Sequence, residues 1–311
     1  MRHDAQIPHV GVLGQAKLEQ ASILIVGVGA LGSTVAELLC RAGVRNLTLC
    51  DYDIVEESNL QRQSLYESQD IGRLKVDAAK EHLIAIDAMC LVKTIPEPFS
   101  EIDVQHFTLI IDGTDNLETR LLLNDVAKKA GIPLIIGTAS GTNGMLFVVN
   151  GSPCWQCITQ GKQATDDCAS GVLGMTTHII ASMQATAAVR TILGYATKEL
   201  LEVDIWNFEV RKISVKVNPA CAACAGTYQY LTAPFHMRFC ASSSKVIAAP
   251  SKPKLIDLEK AKLFGNLEKQ YATAVLLRLG HGTALVHRHG TVEFSNVPEA
   301  EAKAFVKKLE N

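Results

Sequence analysis

Apolar residues in the first half of the chain fall into short runs, several of them ending in glycine or an acid. Ile23-Leu-Ile-Val26 is an uninterrupted run, mostly β-branched, the pattern of a strand buried on both faces. Gly27-Val-Gly-Ala-Leu-Gly32 follows, and the pattern then predicts a helix over 30–42. A second run, 46–50, ends at Asp51, and further periodicities predict a helix over 74–86, strands near 91–95 and 107–111, and a helix over 118–130 closed by Gly131. Alternation of this kind predicts a parallel sheet covered by helices.

After Pro133 the pattern changes. Strands are expected near 132–136 and 144–149, separated by a polar, glycine-rich loop from Gly137 to Gly144. A mobile segment is expected over 161–167, a helix over 174–193, and a hairpin from 203–208 and 211–217. The fold class is therefore α/β, a Rossmann-like doubly wound sheet that is mostly parallel with late antiparallel strands. Residues 241–254, rich in Ser, Ala, Pro and Lys, read as a linker between a main domain (1–240) and a small α+β C-terminal module (255–311). In that module, strands are expected over 271–279, 283–289 and 291–294, and an amphipathic helix over 299–309.

Gly27, Gly29 and Gly32 have the G-x-G-x-x-G spacing of a nucleotide-binding turn. The first glycine allows the turn, the second lets backbone approach a phosphate or ribose, and the third lets the next helix pack close. Asp51 lies about 20 residues further on, where an acid at the end of the next strand grips a ribose hydroxyl. Its plain alternative is a carboxylate that caps a turn.

Length and composition narrow the setting. The chain has 311 residues, 48% of them hydrophobic, enough for a sizeable core and roughly two domains. Thirty basic residues against 32 acidic ones leave no electrostatic footprint for nucleic acid. No basic amphipathic helix suggests a membrane surface, and no apolar run reaches the ~18 residues needed to span a bilayer. The start of the chain lacks the apolar core of a signal peptide, so a cytoplasmic protein is expected. Of nine cysteines, four form two C-x-x-C pairs, Cys154 with Cys157 and Cys221 with Cys224. An odd count without a secretory signal argues against a disulfide framework, and zinc is the better reading; buried free thiols are the alternative.

Ser58-Asn-Leu-Gln-Arg-Gln63 is the most informative segment after the glycines. Adenylation, in which a carboxylate attacks the α-phosphate of ATP, requires cations and a metal to hold the triphosphate and neutralise the departing pyrophosphate. Arg62 offers a planar fork, Lys75 a point charge, and Asp115 a hard oxygen ligand for Mg²⁺. Taken singly, Arg62 and Lys75 read as solvated charges, Asn59 and Gln63 as turn residues, and Asp115 as a helix N-cap.

Together these stretches, with Asp51-Tyr-Asp, Ile71-Gly-Arg-Leu-Lys75, Asp112-Gly-Thr-Asp-Asn, Arg120 and the two cysteine pairs, resemble the ThiF/MoeB/HesA family, the bacterial and archaeal kin of ubiquitin-activating enzymes. The resemblance runs in order from about residue 1 to 226. It implies that Asp51 is the ribose ligand, that Asn59, Arg62 and Lys75 bind the ATP phosphates with Gln63 and Asn116 beside them, and that Asp115 is the Mg²⁺-linked acid. It also implies one structural Zn²⁺ shared by the four paired cysteines, a homodimer, and adenylation of a C-terminal carboxylate, often that of a small ubiquitin-like sulfur-carrier protein, for sulfur incorporation in cofactor biosynthesis. Cys168 lies where related enzymes carry a cysteine on a mobile loop; two adjacent acids oppose its activation as a thiolate. Such enzymes usually open with Arg-Tyr-Ser-Arg-Gln, whose second arginine reaches the partner's ATP. Here only Arg2 is available, so the arginine finger is either Arg2 or missing.

Three other readings stay open on sequence. One is adenylation of a peptide or small-molecule carboxylate in natural-product or metal-cofactor biosynthesis. Another is an NAD-dependent oxidoreductase, which the glycines and Asp51 alone would favour but which leaves 58–63, Lys75 and the cysteine pairs unexplained. The third is a catalytically weak binding scaffold.

Overall fold

The computed structural model describes residues 2–99, 103–159, 171–195, 198–231, 238–240, 245–248, 255–271, 274–288 and 290–310. The chain forms two compact units, the first from Met1–Ile71, Lys75–Gln163 and Val172–Thr232, the second chiefly Ala233–Asn311.

In the first unit, two short helices, α1 (Ile7–Val10) and α2 (Val12–Gln20), precede β1 (Ser22–Val26), α3 (Gly32–Arg41), β2 (Asn46–Cys50), α4 (Lys75–Ile86), β3 (Leu91–Ile95), β4 (Leu109–Asp112) and α5 (Leu117–Ala130). Then come β5 (Leu134–Ser140), β6 (Asn143–Val149), α6 (Trp155–Thr159), α7 (Gly174–Ile192), β7 (Glu199–Asp204) and β8 (Glu209–Ser214). One eight-stranded sheet runs β3-β2-β1-β4-β5-β6-β7-β8. Its first five strands are parallel and the last three join antiparallel. Ile23, Leu24, Ile25, Leu109, Ile110 and Ile111 are fully buried at its centre, as expected of strands covered on both faces.

The stretch from Gly137 to Gly144 is not a loop. β5 continues to Ser140 and β6 starts at Asn143, so only Gly141 and Thr142 make the turn, with Gly141 at φ +57°. The glycines serve packing: a Cβ on Gly137 would come within 2.4 Å of the Gln184 side chain, and one on Gly144 within 2.4 Å of Ile180. Both partners lie on α7, which rests on these strands. The late hairpin is also shifted from its expected place, because Asp204 Oδ1 accepts from the N–H groups of Trp206 and Asn207 and starts the turn early.

The second unit contains a six-stranded sheet. Its elements are β9 (Arg238–Cys240), β10 (Lys245–Ala248), α8 (Leu258–Ala261), β11 (Asn266–Gln270), β12 (Ala274–Arg278), β13 (Thr283–His287), β14 (Val292–Ser295) and α9 (Glu299–Glu310), with strand order β11-β12-β13-β14-β10-β9. β10 therefore occupies part of the stretch expected to be a linker, pairing antiparallel with β14. The unit has its own core, in which Phe294 and Phe305 meet edge-on beside Val275, Leu277, Ala284 and Val286. Among the described residues, no helix is long and apolar enough to cross a membrane.

Candidate functional site

The loops leaving β1, β2 and β4 emerge at the carboxyl edge of the parallel strands, where the strand order reverses between β1 and β4. Open α/β sheets bind ligands in that crevice. Gly27 has φ +81°, and a Cβ there would lie 2.7 Å from the Gly113 backbone. A Cβ on Gly32 would fall 1.9 Å from the Gly27 carbonyl oxygen, and one on Gly113 2.5 Å from the same atom. Gly27, Gly32 and Gly113 thus interlock backbone to backbone. Gly113 lies in the Asp112-Gly-Thr-Asp-Asn stretch, but its packing role is not legible there because it sits outside the G-x-G-x-x-G spacing. At Gly29 a Cβ would meet only Gln63 Nε2, at 3.8 Å, which leaves room for a ligand to approach the backbone.

Asp51, at the exit of β2, is buried. Its Oδ2 accepts from the Val28 N–H at 2.7 Å and its Oδ1 from the Asp53 N–H at 2.8 Å, tying the β2 exit to the glycine loop. Burial raises its pKa, with Lys75 opposing the rise. Lys75, only 7% exposed, opens α4 and donates from Nζ to Asp53 Oδ2 at 2.7 Å. Burial alone pulls an ammonium down, but Asp53 and Asp51 outweigh it and hold Lys75 above the usual lysine range. A permanent positive charge is thereby kept beside the glycine loop. Tyr66, also missed from sequence, donates its hydroxyl to the Val28 carbonyl at 2.6 Å and supports that loop from below.

The 58–63 segment supplies two buried amides. Asn59 Oδ1 accepts from the Glu56 N–H at 3.2 Å, so Asn59 also shapes its own turn. Gln63 is 4% exposed, and its Oε1 has no hydrogen-bond partner although it is buried. An acceptor so placed beside Gly29 is suited to a ligand donor. Arg62 is half-buried and donates to the Ser58 carbonyl at 2.9 Å.

Beyond β4, Asn116 is the N-cap of α5, its Oδ1 accepting from the Thr119 N–H at 2.8 Å. The capping role thus belongs to Asn116, and Asp115 stands exposed before it. Asp112 is fully buried, accepts from the Thr114 N–H and hydroxyl, and pairs with Arg120 Nε at 2.5 Å. Arg120 also donates to the Thr114 carbonyl and lies over the Trp155 ring, so the loop 112–116 is braced from within.

Arg2 lies far from this edge. It donates to the carbonyl of Ile86, the last residue of α4, and sits 3.7 Å from Asp87, which places it at the amino edge of the sheet of its own chain. A cation at a helix C-terminus is stabilising there. Cys168 lies outside the described residues.

The two cysteine pairs meet. All four Sγ atoms lie within 4.8 Å of one another, with Cys154 to Cys221 at 3.6 Å and Cys157 to Cys224 at 3.5 Å. A tetrahedral zinc with Zn–S of about 2.3 Å has S···S edges of about 3.8 Å, so the donor set fits that ion. Burial raises Cys224, but hydrogen bonds from Ser152 and the neighbouring thiols bring it down to about 7, favouring a thiolate. Helix α5 holds the cluster in place: Asn124 accepts from the Trp155 N–H, and Asp125 accepts from Gln156 and from the Tyr230 N–H. One carboxylate thus grips the chain around both pairs. By contrast, burial pushes the Cys50 thiol up to about 12, and Cys40 and Cys90 are also buried.

Residues 2–223 match the ThiF family. The chain belongs to the ThiF family. The sulfur carrier protein adenylyltransferase of Thermus thermophilus is 33% identical over 237 residues, covering 70% of this chain and 87% of that protein. The sulfur carrier protein ThiS adenylyltransferase of Bacillus subtilis is 38% identical over 231 residues, covering 69% of this chain and 68% of that protein. An adenylyltransferase and sulfurtransferase of Drosophila virilis is 35% identical over 69% of this chain, which spans only about half (51%) of its length. Among solved structures, Escherichia coli MccB with ATP superposes with a TM-score of 0.64 at 19% identity, covering 72% of this chain and 75% of that one. At that identity the likeness speaks to the fold alone. The ThiF match ends at residue 223, so most of the second unit lies beyond it.

About one zinc per chain is expected to copurify. Metal analysis checks this, and Cys157→Ser should lower the metal content and the stability of the segment around residues 154–224. Unchanged zinc in that variant would refute the four-thiolate site.

Proposed function

We propose that this ThiF-family chain is an ATP-dependent adenylyltransferase that activates the C-terminal carboxylate of a ubiquitin-like sulfur-carrier protein for sulfur incorporation in cofactor biosynthesis. The observation that carries the reading is the buried, permanently charged Lys75 beside an open glycine turn, with Asp51 fixed against the same turn. Hydride transfer has no need of a buried cation there, whereas a triphosphate does. The names of the ThiF-family relatives support a sulfur carrier as substrate.

In this reading Asp51 binds the ribose, and Gly29 and the backbone around it approach the nucleotide. Lys75 exchanges its bond to Asp53 for a phosphate oxygen, while Arg62 and Asn59 engage the others and the unpaired Gln63 Oε1 takes a ligand donor. The carrier's carboxylate oxygen attacks the α-phosphorus, an O–P bond forms, and pyrophosphate leaves with the electron pair of the bond that breaks. Lys75 and Arg62 stabilise the charge that grows on the leaving group. Asp115, exposed at the mouth with hard oxygen donors, would hold Mg²⁺, which supplies further neutralisation of the phosphates. The four paired cysteines would hold a structural Zn²⁺. We take the chain to act as a homodimer without an arginine finger, since Arg2 is engaged at the end of its own α4, and the second unit to be a module for partner recognition or dimer support.

Calorimetric titration tests the nucleotide assignment. ATP with Mg²⁺ should bind in preference to NAD; tight NAD binding without ATP binding would overturn it.

A further inference from the structure

We propose that Ser64 is an activated hydroxyl nucleophile, with His178 as its general base, able to take an acyl group from an activated ester or mixed anhydride. His178, on α7, has Nδ1 2.6 Å from the carbonyl oxygen of Gly174 and Nε2 3.0 Å from Ser64 Oγ. A carbonyl only accepts, so in the neutral ring the proton sits on Nδ1. Nε2 then presents its lone pair to the Ser64 hydroxyl. Nucleophile, base and a third group that orients the base are therefore joined in one hydrogen-bonded chain, the arrangement that marks an activated nucleophile.

The arrangement is built from two elements seated on each other. A Cβ on Gly174 would come within 2.8 Å of the Gln61 carbonyl oxygen, so the first turn of α7 rests directly on the 58–63 segment that delivers Ser64. His178 also borders a shallow depression of about 320 Å³ lined by Ile179, Ser182, Met183 and Thr186. Its lining is mainly apolar, which suits the hydrocarbon part of an acyl group. Ser64 itself is exposed, so an acyl donor can reach it.

The step balances. Ser64 Oγ forms a bond to the acyl carbon, His178 Nε2 takes the hydroxyl proton, and the leaving group departs with the electron pair, leaving a seryl ester. The acyl-AMP anhydride of the proposed reaction belongs to the same donor class, but the dyad needs no ATP, so it stands or falls independently of that reading.

The test uses the full-length protein and an alkyl fluorophosphonate, whose phosphorus replaces the acyl carbon and whose fluoride is the leaving group. Labelling should map to Ser64 by peptide mass spectrometry, should vanish in Ser64→Ala, and should slow by about 10²-fold or more in His178→Gln, the usual worth of a general base. Native protein should also react at least about 10²-fold faster at Ser64 than the same protein unfolded in urea, a comparison that needs no variant. Labelling elsewhere, an unaltered rate in a folded His178→Gln protein, or equal native and unfolded rates would overturn the proposal.

Discussion

Lys75→Gln is expected to lower carboxylate-dependent pyrophosphate exchange by about 10²-fold or more, because in the proposed reaction the group removed holds the triphosphate and stabilises the charge that grows on the leaving pyrophosphate. The lysine is buried and its ammonium sits 2.7 Å from Asp53, with Asp51 adding to its charge stabilisation. Glutamine keeps a donor and much of the volume, so the loss falls on charge rather than packing. Stability should fall by only about 1–2 kcal/mol, since Asp53 is 36% exposed and stays hydrated when the bond to Lys75 is lost. Exchange rates and a urea titration of the same variant separate the two effects. Wild-type exchange in Lys75→Gln would show that the lysine is merely a structural partner of Asp53.

The largest loss of stability is expected from Asp112→Ala. Asp112 is fully buried, and its removal leaves Arg120 as an uncompensated charge at 8% exposure, which typically costs about 3–5 kcal/mol. It also removes both bonds from Thr114 to the carboxylate, so the loop carrying Asp115 and Asn116 keeps only the Arg120 part of its internal brace. Adding Arg120→Met should recover part of the stability by removing the stranded charge, without restoring the loop. Urea midpoints for the single and double variants check this. An unchanged midpoint in Asp112→Ala would mean that the pair contributes nothing net.

Much of this site was legible in the sequence because it rests on local rules. The β-branched run at 23–26, the glycine spacing and an acid at the end of the next strand each carry their own signal, and the structure brings Gly27, Gly32 and Asp51 to one edge. What escaped depends on packing across the chain. Gly113 matters because it touches Gly27 and Gly32, and Tyr66 because its hydroxyl reaches Val28. The region from Gly137 to Gly144 reads as a loop by composition, yet its glycines make room for α7, a fact that no local window contains. Asn116 took the capping role that its neighbour Asp115 also fits by residue type, a choice set by backbone geometry. β10 escaped for a related reason: its residues find strand partners only within the second sheet.

The most direct measurement is ATP–pyrophosphate exchange by the full chain, with a panel of small sulfur-carrier proteins, free peptides and simple carboxylates as acceptors. The expected result is exchange that requires Mg²⁺ and a carrier with a free C-terminal carboxylate, and that is lost when the carrier's terminus is amidated. Absence of exchange with every carboxylate, together with tight binding of NAD rather than ATP, would contradict it.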